Sequence, residues 1–297
     1  MPYGQLMLPS PLQRLLHPEL ARRGVTLRVK RDDLIHPLVS GNKWRKLKYS
    51  LARAREDGRA GILSFGGAFS NHLHALAAAC EGAGLACHGV VRGEPAYADN
   101  PTLSACRARG MGLSFVGREQ YRQRREPDWL AQWQARFPDH LLVPEGGSNA
   151  LALRGVAELL DELPEWREIW LPVGSGGTLA GLVQGAGGHG RLLGVPVVRD
   201  DLQARVSALL ELDPGNWSLL WGHEGPGYGR FDAGLRAQIL WLERELAIPL
   251  EPIYSGKLFA AFWQRLLAGE LDGKDIILVH TGGLQGLAGL RSRGLWP

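Results

Sequence analysis

Ser40-Gly41-Asn42-Lys43-Trp44-Arg45-Lys46-Leu47-Lys48 is the stretch on which the reading of this chain turns. Trp44, Leu47 and Leu51 recur at helical spacing, with Arg45, Lys46 and Lys48 on the opposite face. Lys43 therefore falls at a helix start. An amine there sits beside the positive end of the helix dipole, which disfavours its protonated form. A lysine of lowered pKa is the group that Schiff-base chemistry needs. The stretch alone is also compatible with a surface lysine among other surface lysines, so the decision rests on its surroundings.

Upstream, Leu8-Pro9-Ser10-Pro11-Leu12 must be extended, because each proline restricts its predecessor. Thr26–Lys30 reads as a strand that delivers the chain to Lys43. Downstream, residues 44–58 form a helix that closes at Asp57-Gly58. The strand Gly61–Phe65 then runs into Gly66-Gly67-Ala68-Phe69-Ser70-Asn71-His72, followed by an alanine-rich helix from His74 to Glu81. A strand, a glycine turn and Ser-Asn at a helix start make an anion-binding layout, although Ser70 and Asn71 could equally be plain N-caps. Ala86–Val91 and Gly112–Val116 are further strands, and Asn100-Pro101 opens a helix. The β-α alternation argues for an open parallel sheet. Residues 118–138 read as a solvated helix carrying Trp129 and Trp133, with no chemistry assigned.

The second strong signal is Ile169–Val173 entering Gly174-Ser175-Gly176-Gly177-Thr178. Three glycines let the backbone approach a phosphate, Ser175 and Thr178 add hydroxyls, and a following helix favours negative charge. The loop lacks the lysine of a nucleotide-triphosphate loop. A structural glycine turn is the alternative. Further on come helical signal at Gln203–Leu212, the turn Gly225–Gly229 with Tyr228, a helix over 231–246, and Pro252-Ile253-Tyr254-Ser255-Gly256-Lys257. The strand Ile276–His280 ends in Thr281-Gly282-Gly283.

The bulk numbers narrow the classes. At 297 residues the chain can bury a sizeable core, and a net charge of +4 from dispersed groups suits a small anion better than nucleic acid. Three cysteines, Cys80, Cys87 and Cys106, follow no metal-ligand spacing and read as reduced thiols of a cytoplasmic protein. No run of apolar residues reaches membrane-spanning length, and the N-terminus lacks a signal pattern. No metal site is expected.

Val29-Lys30-Arg31-Asp32-Asp33-Leu34 with Gly41–Leu47 resembles the pyridoxal-phosphate enzymes of the 1-aminocyclopropane-1-carboxylate (ACC) deaminase / D-cysteine desulfhydrase family. The resemblance runs over nearly the whole chain. It implies a two-lobed, three-layer αβα protein with open, mostly parallel sheets, the tryptophan synthase β-like fold type II of such enzymes. The implied lobes are residues 1–45 plus 151–297, which bind the cofactor, and a small inserted α/β domain over 46–150. By the same resemblance, Lys43 holds pyridoxal 5'-phosphate covalently and then serves as general base. Gly174, Ser175, Gly176, Gly177 and Thr178 hold the phosphate, Asn71 meets the ring oxygen, and Thr281 or Ser255 meets the pyridine nitrogen. Ser70, Asn71, His72, Tyr228 and Tyr254 face a small amino-acid substrate. ACC deaminases carry Glu directly after the second tyrosine and Leu in the final Gly-Gly turn, where this chain has Ser255 and Thr281. Neutral hydroxyls stabilise a pyridinium less than a carboxylate does. The expected activity is thus D-cysteine desulfhydrase-like β-elimination to keto acid and ammonia. ACC deamination and a silent cofactor-binding homologue are the alternatives. Leu151–Gly155 is less glycine-rich than the family pattern and 199–226 is shorter than expected. A homodimer is the family expectation.

Overall fold

The computed structural model describes residues 6–297; residues 1–5 of the N-terminal lead-in lie outside the described residues. Ten strands form two sheets: β1 (Leu12–Leu15), β2 (Thr26–Lys30), β3 (Gly61–Gly67), β4 (Ala86–Arg92), β5 (Gly112–Val116), β6 (His140–Val143), β7 (Glu168–Val173), β8 (Arg191–Pro196), β9 (Trp217–Leu219) and β10 (Asp275–Val279). The larger sheet has the order β1-β2-β10-β7-β8-β9 and is parallel except for the antiparallel edge strand β1. The smaller, β5-β4-β3-β6, is parallel throughout.

Side-chain alternation makes each sheet the middle of three layers. Ile276 and Leu278 of β10 join Trp170, Leu193 and the helices Ala233–Leu246 and Ser255–Leu267 on one face. Ile277 and Val279 join Ile169, Leu171 and the helix Gly177–Ala186 on the other. In the smaller sheet Ile62 and Leu63 divide in the same way. Strands buried on both faces read as continuous apolar runs, as β7 and β10 do. The fold is therefore α/β with two parallel-type sheets, each covered by helices.

Three local expectations differ from the structure. Residues 118–138 form two helices, Arg118–Arg122 and Pro127–Arg136, and Trp129 and Trp133 are buried with Tyr121 against Phe65. The helix expected over 203–212 spans only Leu202–Ser207, and the edge strand β9 follows it. Arg45 and Lys46, expected opposite the apolar face, are themselves buried.

Both departures at 45 and 46 come from the start of the helix Asn42–Glu56. Gly41 enters it at φ +65°, and a Cβ there would lie 1.9 Å from the Thr281 carbonyl oxygen, so only glycine permits the approach. Arg45 then reaches a buried polar belt. Its guanidinium donates to both oxygens of Asp32, at 2.8 and 2.9 Å, and to both oxygens of Glu162, each at 2.9 Å. Lys30 Nζ donates to Glu162 Oε2 and to the Ser10 carbonyl, each at 2.6 Å, and Ser10 Oγ donates to Asp32 at 2.7 Å. The belt ties the arm before β1, the end of β2, the new helix and the turn Leu160–Glu162 together.

Burial alone would raise the Glu162 carboxyl, but hydrogen bonds from Arg45 and Lys30 outweigh it and hold it at about 2 instead of 4.5. A carboxylate depressed on folding contributes stability above its unfolded pKa and loses it as pH falls through the folded value. Glu162→Gln is expected to cost roughly 3 kcal/mol at pH 7. The deficit against wild type should shrink between pH 4.5 and 2, as urea unfolding at a series of pH values would show.

Candidate functional site

Four loops at the carboxyl ends of parallel strands converge on the first turn of the helix Asn42–Glu56. They follow β3 (Ala68–Ser70), β6 (Glu145–Ser148), β7 (Gly174–Gly176) and β10 (His280–Gly283). Carboxyl-end loops are where open α/β sheets build ligand sites. Asn42 Nδ2 donates to Thr178 Oγ1 at 2.7 Å, which clips the residue beside Lys43 to the glycine turn. Lys46, one turn after Lys43, donates to the Gly146 carbonyl at 2.7 Å, to Ser148 Oγ at 2.9 Å and to Ser175 Oγ at 3.4 Å. The Ser148 and Ser175 hydroxyls are 2.8 Å apart. Two loops thus meet at one amine, through three oxygens, and the sequence reading had left Lys46 without a role.

The Lys43 amine has no hydrogen bond or ion pair among the described residues. Burial pulls its pKa down to about 8. The cause is desolvation, where the sequence had pointed to the helix dipole. Lys46 is pushed well below the ordinary lysine value, first by burial and then by repulsion from Lys43. At pH 7 about a tenth of Lys43 is free base, roughly three-hundredfold more than in an ordinary lysine.

The glycine turn leaves backbone donors free. Gly176 sits at φ +90° and caps the helix Gly177–Ala186 with no side chain. The Ser175 and Gly176 N–H groups have no partner among the described residues, and the first-turn amides of a helix are free by its geometry. A Cβ at Gly177 would stand 2.4 Å from Ser148 Oγ and 3.0 Å from Lys46 Nζ, so the cradle closes against any larger residue.

Ser70 Oγ caps the helix Asn71–Ala83 by accepting from the Leu73 N–H at 3.2 Å, and its own proton is uncommitted. The Asn71 amide has no hydrogen bond, and its nitrogen lies 3.1 Å from where a Cβ at Gly283 would be. His72 is buried, with its protonation fixed by its neighbours. Ser64 Oγ sits 2.7 Å from the Val143 carbonyl and must donate there, so it accepts from His72 Nε2 at 2.8 Å. His72 Nδ1 is then a bare acceptor, and it has no partner. Burial, then Lys43 and Lys46, hold the ring well below the usual histidine pKa. Its neutral form faces the two amines.

Tyr228 and Tyr254 meet hydroxyl to hydroxyl at 2.9 Å, their rings edge to face. Tyr254 lies against Gly174, where a Cβ would be 3.1 Å from its ring. Burial, reinforced by Tyr228, raises its phenol well above the usual value, so it stays protonated. Ser255 is fully buried beside a group that sequence reading missed, Glu251. That carboxylate accepts from the N–H groups of Ile253, Tyr254 and Ser255 at 2.7–2.8 Å and from Ser255 Oγ at 3.2 Å. Burial nevertheless raises it to about 7. Thr281, on the β10 loop, keeps its hydroxyl without a hydrogen bond. Glu251 could have been suspected as the acidic residue three positions before a tyrosine at a helix start. His72–Ser64 left no such trace.

The donor set fits a group carrying one phosphate and one amine-reactive carbonyl. Lys43 supplies the unpartnered amine, Lys46 and the turn 174–178 supply a second amine and backbone amides, and Asn71 and Thr281 supply polar atoms without hydrogen bonds, whereas the Ser255 hydroxyl is committed to Glu251. No cluster of histidine, cysteine, aspartate or glutamate suited to a metal is present among the described residues.

The sequence family described as "Pyridoxal-phosphate dependent enzyme" matches residues 5–282. A D-cysteine desulfhydrase from Klebsiella pneumoniae is 30% identical over 306 residues, covering 94% of this chain and 93% of its own. A bifunctional D-cysteine desulfhydrase/1-aminocyclopropane-1-carboxylate deaminase, mitochondrial, from Arabidopsis thaliana is 27% identical over 322 residues, covering 94% and 77%. The crystal structure of an ACC deaminase homologue superposes with a TM-score of 0.83 at 24% identity, covering 98% of this chain and 94% of that one.

Labelling of the protein with an amine-reactive reagent, followed by peptide mass spectrometry, should show Lys43 reacting with a midpoint near pH 8, far below surface lysines. Lys46→Ala should leave that midpoint near pH 8, because burial sets it, and should weaken binding of pyridoxal phosphate by about tenfold or more.

Proposed function

The chain belongs to the pyridoxal-phosphate-dependent enzyme family, and from that premise we propose that it catalyses β-elimination from D-cysteine, releasing pyruvate, sulfide and ammonia. The observation that carries this choice is the neutral pair Ser255 and Thr281, with the carboxylate beside Ser255, Glu251, accepting from its own turn. Neither hydroxyl is an ionised acceptor that would sustain a strongly electron-withdrawing cofactor. Opening a cyclopropane that has no α-proton asks for one; departure of a thiolate does not.

Lys43 binds the cofactor, which when bound draws electron density from the substrate's α-carbon. The Lys46 ammonium and the amides of 174–178 anchor its phosphate. Ser70 and Asn71 orient the substrate carboxylate. The Lys43 amine, near pKa 8, takes the proton from the α-carbon, and the electron pair leaves with sulfur. Tyr254, kept as phenol, donates toward the departing sulfur, and Tyr228 holds it in place. Water then replaces nitrogen at the α-carbon. His72, neutral and with Nδ1 bare, accepts from a donor in the same crevice.

The lobes we propose are residues 1–45 with 151–297 and an inserted 46–150. In support, every strand of the smaller sheet falls inside the insert, although the helix Asn42–Glu56 runs through the boundary. A cytoplasmic homodimer belongs to the same reading. Its support is the family resemblance together with three free, buried cysteines. Among the described residues no helix is long and apolar enough to cross a membrane.

Keto-acid release from D-cysteine, L-cysteine, β-chloro-D-alanine, D-serine and ACC separates the readings. D-Cysteine and β-chloro-D-alanine should lead. Lys43→Ala should abolish turnover, and Tyr254→Phe should lower kcat by about a hundredfold or more. Release of 2-oxobutanoate from ACC as fast as pyruvate from D-cysteine would overturn the choice.

A further inference from the structure

One buried charge takes no part in the chemistry above. Lys257 is fully buried in the first turn of the helix Ser255–Leu267. Its ammonium donates to three backbone carbonyls, those of Glu224 at 2.6 Å, Gly227 at 3.1 Å and Val197 at 3.4 Å. It has no ion pair among the described residues. The two carboxylates that act on it through space are engaged elsewhere. Glu251 accepts from its own turn, and Glu224 accepts from the Gly222 N–H at 3.1 Å. Burial pulls the amine down to about 8 against the pull of Glu251 and Glu224, so the charged form prevails at pH 7.

Packing alone does not account for this residue. A cation in the first turn of a helix meets the positive end of the helix dipole. Methionine would fill the same space without the desolvation of a charge. What the ammonium does is gather carbonyl oxygens from two separate segments. Val197 directly follows β8, whereas Glu224 and Gly227 belong to the loop 222–229. That loop carries glycine at 222, 225, 227 and 229, all at positive φ, so little in its own sequence orders it. Several backbone carbonyls turned toward one positive charge are the arrangement that replaces the hydration shell of a monovalent cation. Beside it, Lys257 lines a cavity of about 280 Å³ with His223, Gly225, Asp232, Gln238 and Gln264.

We propose that Lys257 is a built-in monovalent cation: its ammonium orders the loop 222–229 and so positions Tyr228, and the three carbonyls become a site for potassium or ammonium ion once the side chain is removed. Lys257 is a positioning residue, because it acts on the phenol through the loop. Tyr228 follows the Gly227 carbonyl directly, and its hydroxyl lies 2.9 Å from that of Tyr254, so a shift of the loop reaches the paired phenols at once. The effect on turnover rests on the part given above to the two tyrosines; the cation site does not.

The test is Lys257→Ala, loaded with cofactor, in potassium, ammonium or choline chloride at equal ionic strength. Choline is too large for the carbonyls to surround and controls for screening. In choline chloride, kcat on D-cysteine should fall by about tenfold or more with KM changed less than about twofold, since Ser70 and Asn71 are untouched. Potassium and ammonium should restore most of kcat and raise the melting temperature, both saturably, and wild type should respond to neither. Lys257→Ala/Tyr228→Phe should keep the ion-dependent rise in melting temperature and lose the ion-dependent kcat. Lys257→Met, which fills the space without a charge, should be as slow as Lys257→Ala and unresponsive to ions. Equal melting temperatures and kcat of Lys257→Ala in all three salts overturn the proposal, as does failure of that variant to fold in any of them. A Lys257→Met enzyme with wild-type kcat, or a wild type that needs potassium, overturns it too. Absence of D-cysteine turnover by wild type overturns the elimination reading instead, and the melting temperatures still decide the cation site.

Discussion

The bidentate pair between Arg45 and the buried Asp32 is the constraint on which the site depends. A guanidinium this deep is tolerated only because Asp32 and Glu162 engage it with four hydrogen bonds. Fixing Arg45 fixes the rotation of the helix about its axis. Lys43 and Lys46, three residues apart, then share a face and point into the crevice. Had Arg45 been free to turn toward solvent, either lysine could follow it. The close approach of Gly41 to the Thr281 carbonyl sets the other degree of freedom, the depth at which the helix begins.

That geometry leaves two amines side by side with little to neutralise them. Lys46 has three oxygen partners, none of them charged, and Lys43 has none. Lys43 raises the cost of protonating Lys46, and the nearby His72 is kept neutral by burial and then by both lysines. A dianionic phosphate in the glycine turn would reverse the sign of this field. Binding such a group therefore restores charge to Lys46 while leaving Lys43 available as free base, and it stabilises the folded protein by mass action. The low pKa of Lys43 comes from desolvation, and it outlasts the change.

What could be read from sequence was what is local. Lys43 after Gly-Asn, the hydroxyls among Gly174–Thr178 and the Ser70–Asn71 helix start all announce themselves within five residues, because backbone conformation and capping are short-range. The inner strands β3, β4, β7 and β10 were legible for the same reason, since burial on two faces leaves apolar runs, whereas β1, β6 and β9 were not read as strands. Illegible were groups whose partners are distant in the chain. Lys46 meets Ser175 and Arg45 meets Glu162 more than a hundred residues away. Helical periodicity put both on the polar face, since a buried cation and a solvated one look alike until the partner is known. Trp129 and Trp133 were misplaced by the charged residues around them, which lie on the outer face of the same short helix.

The two tyrosines show how one turn can settle both sides of a crevice. Glu251 accepts from three successive amides and so holds the start of the helix Ser255–Leu267, whose N-cap position is Tyr254. Two residues into that helix, the buried Lys257 donates to the carbonyls of Glu224 at 2.6 Å, Gly227 at 3.1 Å and Val197 at 3.4 Å. It thereby holds the glycine-rich loop that presents Tyr228. The loop has almost no side chains of its own to pack, so its position is borrowed from the lysine. The 2.9 Å contact between the phenols is the consequence, because both rings are referred to the same few residues of one helix start. A carboxylate occupied in this way is structural, and it commits the Ser255 hydroxyl as well, which donates to Glu251 Oε1 at 3.2 Å and accepts from the Glu251 N–H at 3.0 Å.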